Sequence, residues 1–196
     1  MADTNDPGVR PSPALLWATA GLKVALLALV AFALTHLGWE RFADKAMTAR
    51  AVLYPAAAAL VPAVWVISRR RSAYPALVDL LVTTPFVVDL LGNALDLYDR
   101  VSWFDDACHL VNWGILTGAV AVPLARRAFP WWVTFGLCAG FGAVTAILWE
   151  VGELGAFVLK TNESVTAYRD TVGDLALGLS GSAVAGALAA WRSRRA

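Results

Sequence analysis

Residues 128–149 read AFPWWVTFGLCAGFGAVTAILW and carry no charge. A run of about 18 or more apolar residues is long enough to cross a hydrocarbon core as a helix, which satisfies all of its backbone polar groups internally. Residues 51–68 and 175–191 are likewise uncharged. The bias extends to the whole chain of 196 residues, which is 59% hydrophobic and 16% charged with a mean hydropathy of +0.60. Soluble domains carry about 25% charged residues. The dyad alternation of a transmembrane β-barrel is absent. The sequence therefore predicts an all-α polytopic integral membrane protein.

At about 20 residues per span, the chain has room for six, expected near 14–38, 50–68, 73–97, 106–125, 131–158 and 170–191. Connections this short leave no extramembrane domain, so the expected organisation is a cytoplasmic tail over 1–13 and one six-helix domain over 14–196. The tail, MADTNDPGVRPSP, is polar and proline-bearing and reads as disordered. It has neither a basic segment nor a small-residue cleavage site, so the first span is expected to direct insertion. Cys108 and Cys138 fall in spans outside any CxxC motif and read as small apolar residues. A net charge of +1 excludes a nucleic-acid-binding surface.

Six spans put both termini on one side with the second and fourth connections. That side holds Arg10, Arg69, Arg70, Arg71, Arg126, Arg127, Arg192, Arg194 and Arg195, against Arg41, Lys45, Arg50, Arg100, Lys160 and Arg169 on the other. The positive-inside rule then places both termini in the cytoplasm. Of the fifteen acids, all but Asp3, Asp6 and Asp79 fall toward the opposite, extracytoplasmic side, as do His36 and His109. Acids contribute little to topology, so this concentration is a separate signal.

Three of the expected spans bring polar pairs to a similar depth. The fourth begins FDDACH, where Asp106 and Asp105 precede His109 by three and four residues and can share its helical face, continued by Asn112. The fifth ends WEVGE, with Glu150 and Glu153 three apart, and the sixth begins RDTVGD, with Asp170 and Asp174 four apart. The third adds Asp89, Asn93 and Asp96 on a common face, above a kink expected at Pro85. Ionisable groups in spans are costly and face a bundle interior or a water-filled cavity. Carboxylates crowded together need a bound cation, shared protons or an arginine partner, here expected to be Arg100 or Arg169. Carboxylates with one histidine suit a divalent ion such as Mg²⁺, Mn²⁺ or Zn²⁺. The candidate metal ligands are Asp106, His109, Glu150, Glu153, Asp170 and Asp174. The candidate catalytic groups are Asp106, His109, Glu150, Glu153 and Asp174.

Other features read as structural. Asp105 and Asp170 sit where helix N-caps are expected. Trp39, Trp103, Trp131, Trp132 and Trp191 match an interfacial aromatic belt. Asp79 is expected to pair with Arg69–Arg71, and Lys23 to snorkel inward. Gly136 and Gly140, and the stripe of Gly178, Gly181, Ser182 and Gly186, read as close helix packing.

The order FDDxxH, then a span ending WExxE, then YRDTxxD opening a glycine-rich last span, resembles the YjdF-like family of bacterial inner-membrane proteins, over about residues 93–188. It is more distantly similar to the VanZ-like pattern, which tends to carry Lys and Gln where Ala107 and Glu153 stand here. The resemblance implies that Asp106, His109, Glu150, Glu153, Asp170 and Asp174 are the family's polar motif positions. It assigns no activity to them, and the VanZ-like association is with the cell envelope.

The resulting expectation is a multi-pass bacterial inner-membrane protein with an acidic/His site near the extracytoplasmic leaflet. That site would carry metal-dependent chemistry on a membrane lipid or envelope precursor. The alternatives are a proton- or cation-binding transporter and a non-catalytic structural subunit.

Overall fold

The computed structural model describes residues 10–68, 73–127, 129–156 and 167–194. Its helices are α1 (Pro13–Thr35), α2 (Met47–Ile67), α3 (Ala76–Ala94), the short α4 (Leu97–Arg100), α5 (Phe104–Leu124), α6 (Trp131–Ala156) and α7 (Ala167–Ser193), with a 3-10 turn at Glu40–Phe42. No strand occurs among the described residues. All but α4 are long and apolar enough to cross a membrane. The six expected spans are therefore present, with ends shifted by a few residues. The first nine residues and the connection 157–166, with Lys160 and Glu163, lie outside the described residues.

Local chemistry sets the helix boundaries. Ser12 caps α1 by accepting from the Leu15 N–H at 3.2 Å, and Pro13 occupies the first helical position, where its missing N–H costs nothing. α3 runs on through Pro85 to Ala94. Asp96 lies beyond that end in the left-handed region, at φ 62°, and starts α4 instead of extending the Asp89–Asn93 face. Neither expected acidic cap is formed: Trp103 precedes α5 and Asp105 is already in its first turn. Asp170 likewise lies in the first turn of α7.

The helices pack as two groups. α1, α2 and α3 surround a core of Leu26, Val30, Phe42, Met47, Tyr54 and Leu90. α7 lies between α5 and α6, and α3 joins the groups by packing on α5. The glycine stripe of α7 allows the second group its close approach. A Cβ at Gly181 would strike the Leu110 carbonyl, one at Gly178 would lie 2.6 Å from Trp113 Cδ1, and one at Gly186 2.9 Å from Cys138 Cβ. Thr117 donates to Ser182 at 2.9 Å inside the same interface. Gly136 and Gly140 do not share this role: they lie on the exposed face of α6, where an added methyl group would meet nothing within 4 Å. Spacing alone makes the two glycine sets look alike, and only the placement of α7 separates them.

At the opposite end of the first group from the acidic cluster, Asp79 is fully buried and paired with Lys23 at 2.9 Å. Lys23 also donates to the Ala58 carbonyl, and the Tyr74 hydroxyl donates to Asp79. Lys23 thus reaches a partner within the bundle; the expected partners of Asp79, Arg69–Arg71, lie outside the described residues. α1 and α3 run in the same direction here, so residues early in both helices meet. Thr19 of α1 accordingly donates to the Ala76 carbonyl at 3.2 Å. Trp103 and Trp132 of the expected tryptophan belt are exposed, at 64% and 62%.

Candidate functional site

His109 is the sixth residue of α5, Glu150 lies six before the end of α6, and Asp174 seven after the start of α7. At about 1.5 Å per residue, all three lie roughly 8 to 11 Å inside their helix ends. The packing of α7 against both α5 and α6 then brings them together. His109 Nε2 is 3.6 Å from Asp105 and 3.7 Å from Asp174, while Nδ1 is 3.7 Å from Glu150. Glu153 follows one turn after Glu150 on the same face.

These groups line a cavity of about 450 Å³ enclosed by α2, α3, α4, α5, α6 and α7. Among the described residues, its wall carries seven carboxylates against the two cations Lys45 and Arg50. Lys45 is engaged with Asp99 at 2.9 Å. Asp170 is exposed and reaches the cavity rim, whereas Asp106 is exposed and lies outside the lining. Of the two adjacent aspartates in FDDACH, it is therefore Asp105 that faces His109.

The charge partner is Arg50, not the exposed Arg100 or Arg169. Arg50 is the fourth residue of α2, and its guanidinium bonds Asp89 of α3 and lies 3.6 Å from Glu153 of α6. The Asp89 carboxylate also accepts from Tyr54 at 2.7 Å and from Tyr98 at 3.0 Å. Burial first, and then the Asp89 charge, hold the Tyr98 hydroxyl protonated well above its usual range. The Asp89 carboxylate thus has a guanidinium and two phenols as partners, the arrangement a buried charge requires. Sequence reasoning misses Arg50 as a site residue, because it falls at the expected start of a span and counts there as a connection charge. The usable signal is its i,i+4 spacing from Tyr54 on one face of α2.

Of the acids around His109, Glu153 is near Arg50, while Asp105 and Asp174 lie near the imidazole itself. His109 Nδ1, Asn93 Oδ1 and Asn112 Oδ1 are buried without a hydrogen bond, and all three residues line the cavity. Two sets, Asp105–His109–Asp174 and His109–Glu150–Glu153, each offer ligand atoms within 4.8 Å of one another. Metal–ligand bonds of about 2.0 to 2.6 Å place ligand atoms within that span. Each set therefore fits a divalent ion; because the two ring nitrogens point apart, one ion can take the shared imidazole in one set only.

A family model described as "Predicted membrane protein (DUF2238)" matches residues 22–195. No curated protein and no solved structure matches the chain.

Proposed function

The chain belongs to the DUF2238 family of predicted membrane proteins, the YjdF-like family, and for it we propose a divalent-cation site at His109 that performs chemistry on a membrane lipid or envelope precursor. One observation carries the reading: a buried imidazole with carboxylates near both ring nitrogens and an Nδ1 that no protein group satisfies. Glu150 and Glu153, the set on the Nδ1 side, are the proposed co-ligands; Asp105 and Asp174 lie by Nε2, where they would hold the other ring nitrogen as hydrogen-bond partners, and Asp170 stands at the rim. Mg²⁺, Mn²⁺ or Zn²⁺ suits this donor set. Such an ion would supply Lewis-acid polarisation of a phosphoryl oxygen or an activated water. The remaining carboxylates can accept the proton that a water nucleophile must lose. Asp106 is exposed and outside the cavity lining, and is not among the proposed ligands.

The proposed setting is a bacterial inner membrane with both termini cytoplasmic, so that the cavity faces the extracytoplasmic leaflet. A transport reading needs a second open polar station toward the other face. The buried charges found there, Lys23 and Asp79, are closed on each other and on Tyr74 and the Ala58 carbonyl. That favours a site over a path.

The test is metal analysis of protein purified without chelators, followed by Mn²⁺ titration. One bound ion per chain is expected, with affinity at least about tenfold weaker in His109→Ala and Glu150→Gln. Affinity should also fall as pH is lowered, because the ligands must be deprotonated. Wild-type protein that neither retains nor takes up an ion would overturn the reading.

A further inference from the structure

The cavity continues away from the polar ring. Below His109 and Glu150 its wall is formed by Phe86 of α3, Leu116 of α5, and Phe141 and Trp149 of α6. Leu116 lies seven residues beyond His109, and Phe141 nine before Glu150. The apolar part thus reaches roughly 10 to 14 Å toward the middle of the spans. A charged ring over an apolar shaft matches a molecule with a polar head and a hydrocarbon chain. The volume, about 450 Å³, is that of a ligand pocket.

The side walls differ in how they close. α6 packs against α5 and α7, and α2 against α1 and α3, with no comparable backbone packing between α2 and α6 among the described residues. Side chains bridge that seam instead. Tyr54 and Trp149 stack with ring centroids 6.4 Å apart, and Arg50 reaches Glu153 at 3.6 Å. Outside the seam, α2 exposes Val52, Leu53 and Leu60, and α6 exposes Ile147, Leu148 and Val151, the surface a bilayer would cover.

We propose that the α2/α6 seam is a lateral entrance through which a phosphate-bearing amphiphile passes its chain onto Phe86, Leu116, Phe141 and Trp149, its head lying between His109 and Arg50. Side-chain bridges can part by rotamer changes, whereas a backbone-packed wall would require a helix to move. With seven carboxylates on the wall, a phosphate enters favourably only beside cations. Arg50 is one, Lys45 is engaged with Asp99, and the ion proposed at His109 would add a further positive charge. The choice of headgroup rests on that metal reading.

The test uses the full chain in phosphatidylcholine vesicles with Mn²⁺. The vesicles are doped with phosphatidic acid carrying a diazirine in one acyl chain or, separately, with the matching diacylglycerol. Photolysis and peptide mapping should place phosphatidic acid label on Phe86, Phe141 or Trp149 several-fold above the exposed Val144 and Leu148. Leu116→Trp, or independently Thr145→Phe, fills the cavity and should abolish that excess. Label confined to exposed residues and unchanged in both variants would overturn the entrance. Equal cavity labelling by the two lipids would overturn the phosphate preference. Mn²⁺ titration of the same samples separates the two readings. Cavity label without bound metal upholds the entrance and defeats the metal site. Bound metal without cavity label defeats the entrance alone.

Discussion

Arg50 of α2 and Glu153 of α6 face each other at 3.6 Å across a seam that, among the described residues, side chains bridge without close backbone packing. The same guanidinium holds Asp89 of α3. One cation therefore ties three helices together beside Asp105, Glu150 and Asp174, with which it forms no ion pair among the described residues. That leaves the His109 acids available to a ligand while Asp89 is committed to structure.

Arg50→Met should lower stability by about 3 to 5 kcal/mol, because it leaves the Asp89 ion buried with only Tyr54 and Tyr98 to serve it. Arg50→Met combined with Asp89→Leu should recover much of this loss, since no charge then remains uncompensated. Thermal unfolding of the four proteins in detergent gives the coupling. Strictly additive losses would show that the two groups do not depend on each other.

The two glycine sets should behave oppositely. Gly181→Ala drives a methyl into the Leu110 carbonyl and should cost about 1 to 3 kcal/mol, with Gly178→Ala similar against Trp113. Gly136→Ala and Gly140→Ala meet open space and should be neutral or stabilising by up to about 1 kcal/mol through helix propensity. Unfolding midpoints in one detergent decide this. Equal losses at Gly136 and Gly181 would mean that α6 uses its outer face for packing.

Lys23→Met strips the fully buried Asp79 of its ion-pair partner and should cost about 3 kcal/mol. Tyr74→Phe removes one charge-assisted hydrogen bond and should cost about 2 kcal/mol. Burial, the hydrogen bond to Asp79 and the Asp79 charge all raise the Tyr74 pKa above its unfolded value of about 10. Its contribution is therefore fully present below about pH 10 and declines only as pH climbs through the raised value. The stability gap between wild type and Tyr74→Phe should stay constant from pH 7 to about pH 10. A gap that closes within that range would contradict the raised pKa.

A fluorescent-protein fusion to the C-terminus should be fluorescent and an alkaline phosphatase fusion there inactive. Six helices place both termini on the side of Arg126, Arg127, Arg192 and Arg194. The reverse pattern would move the His109 cavity to the cytoplasmic leaflet and change the lipids it can meet.

The number and approximate limits of the spans were legible in the sequence, because partition of a helix into hydrocarbon depends on its own run of apolar residues. The matched depth of His109, Glu150 and Asp174 was also legible, since distance along a helix is counted in residues. What the sequence could not settle were relations between helices. Periodicity assigns residues to a face but does not say which neighbour covers it. Only packing decided that Asp105 and not Asp106 meets His109, that Lys23 serves Asp79, and that Gly181 is buried while Gly140 is not. Arg50 shows the reason most directly. A charge near a span end is cheap if it reaches water and needs partners if it turns inward. Those partners, Asp89 and Glu153, come from two other helices that only the tertiary fold brings within reach.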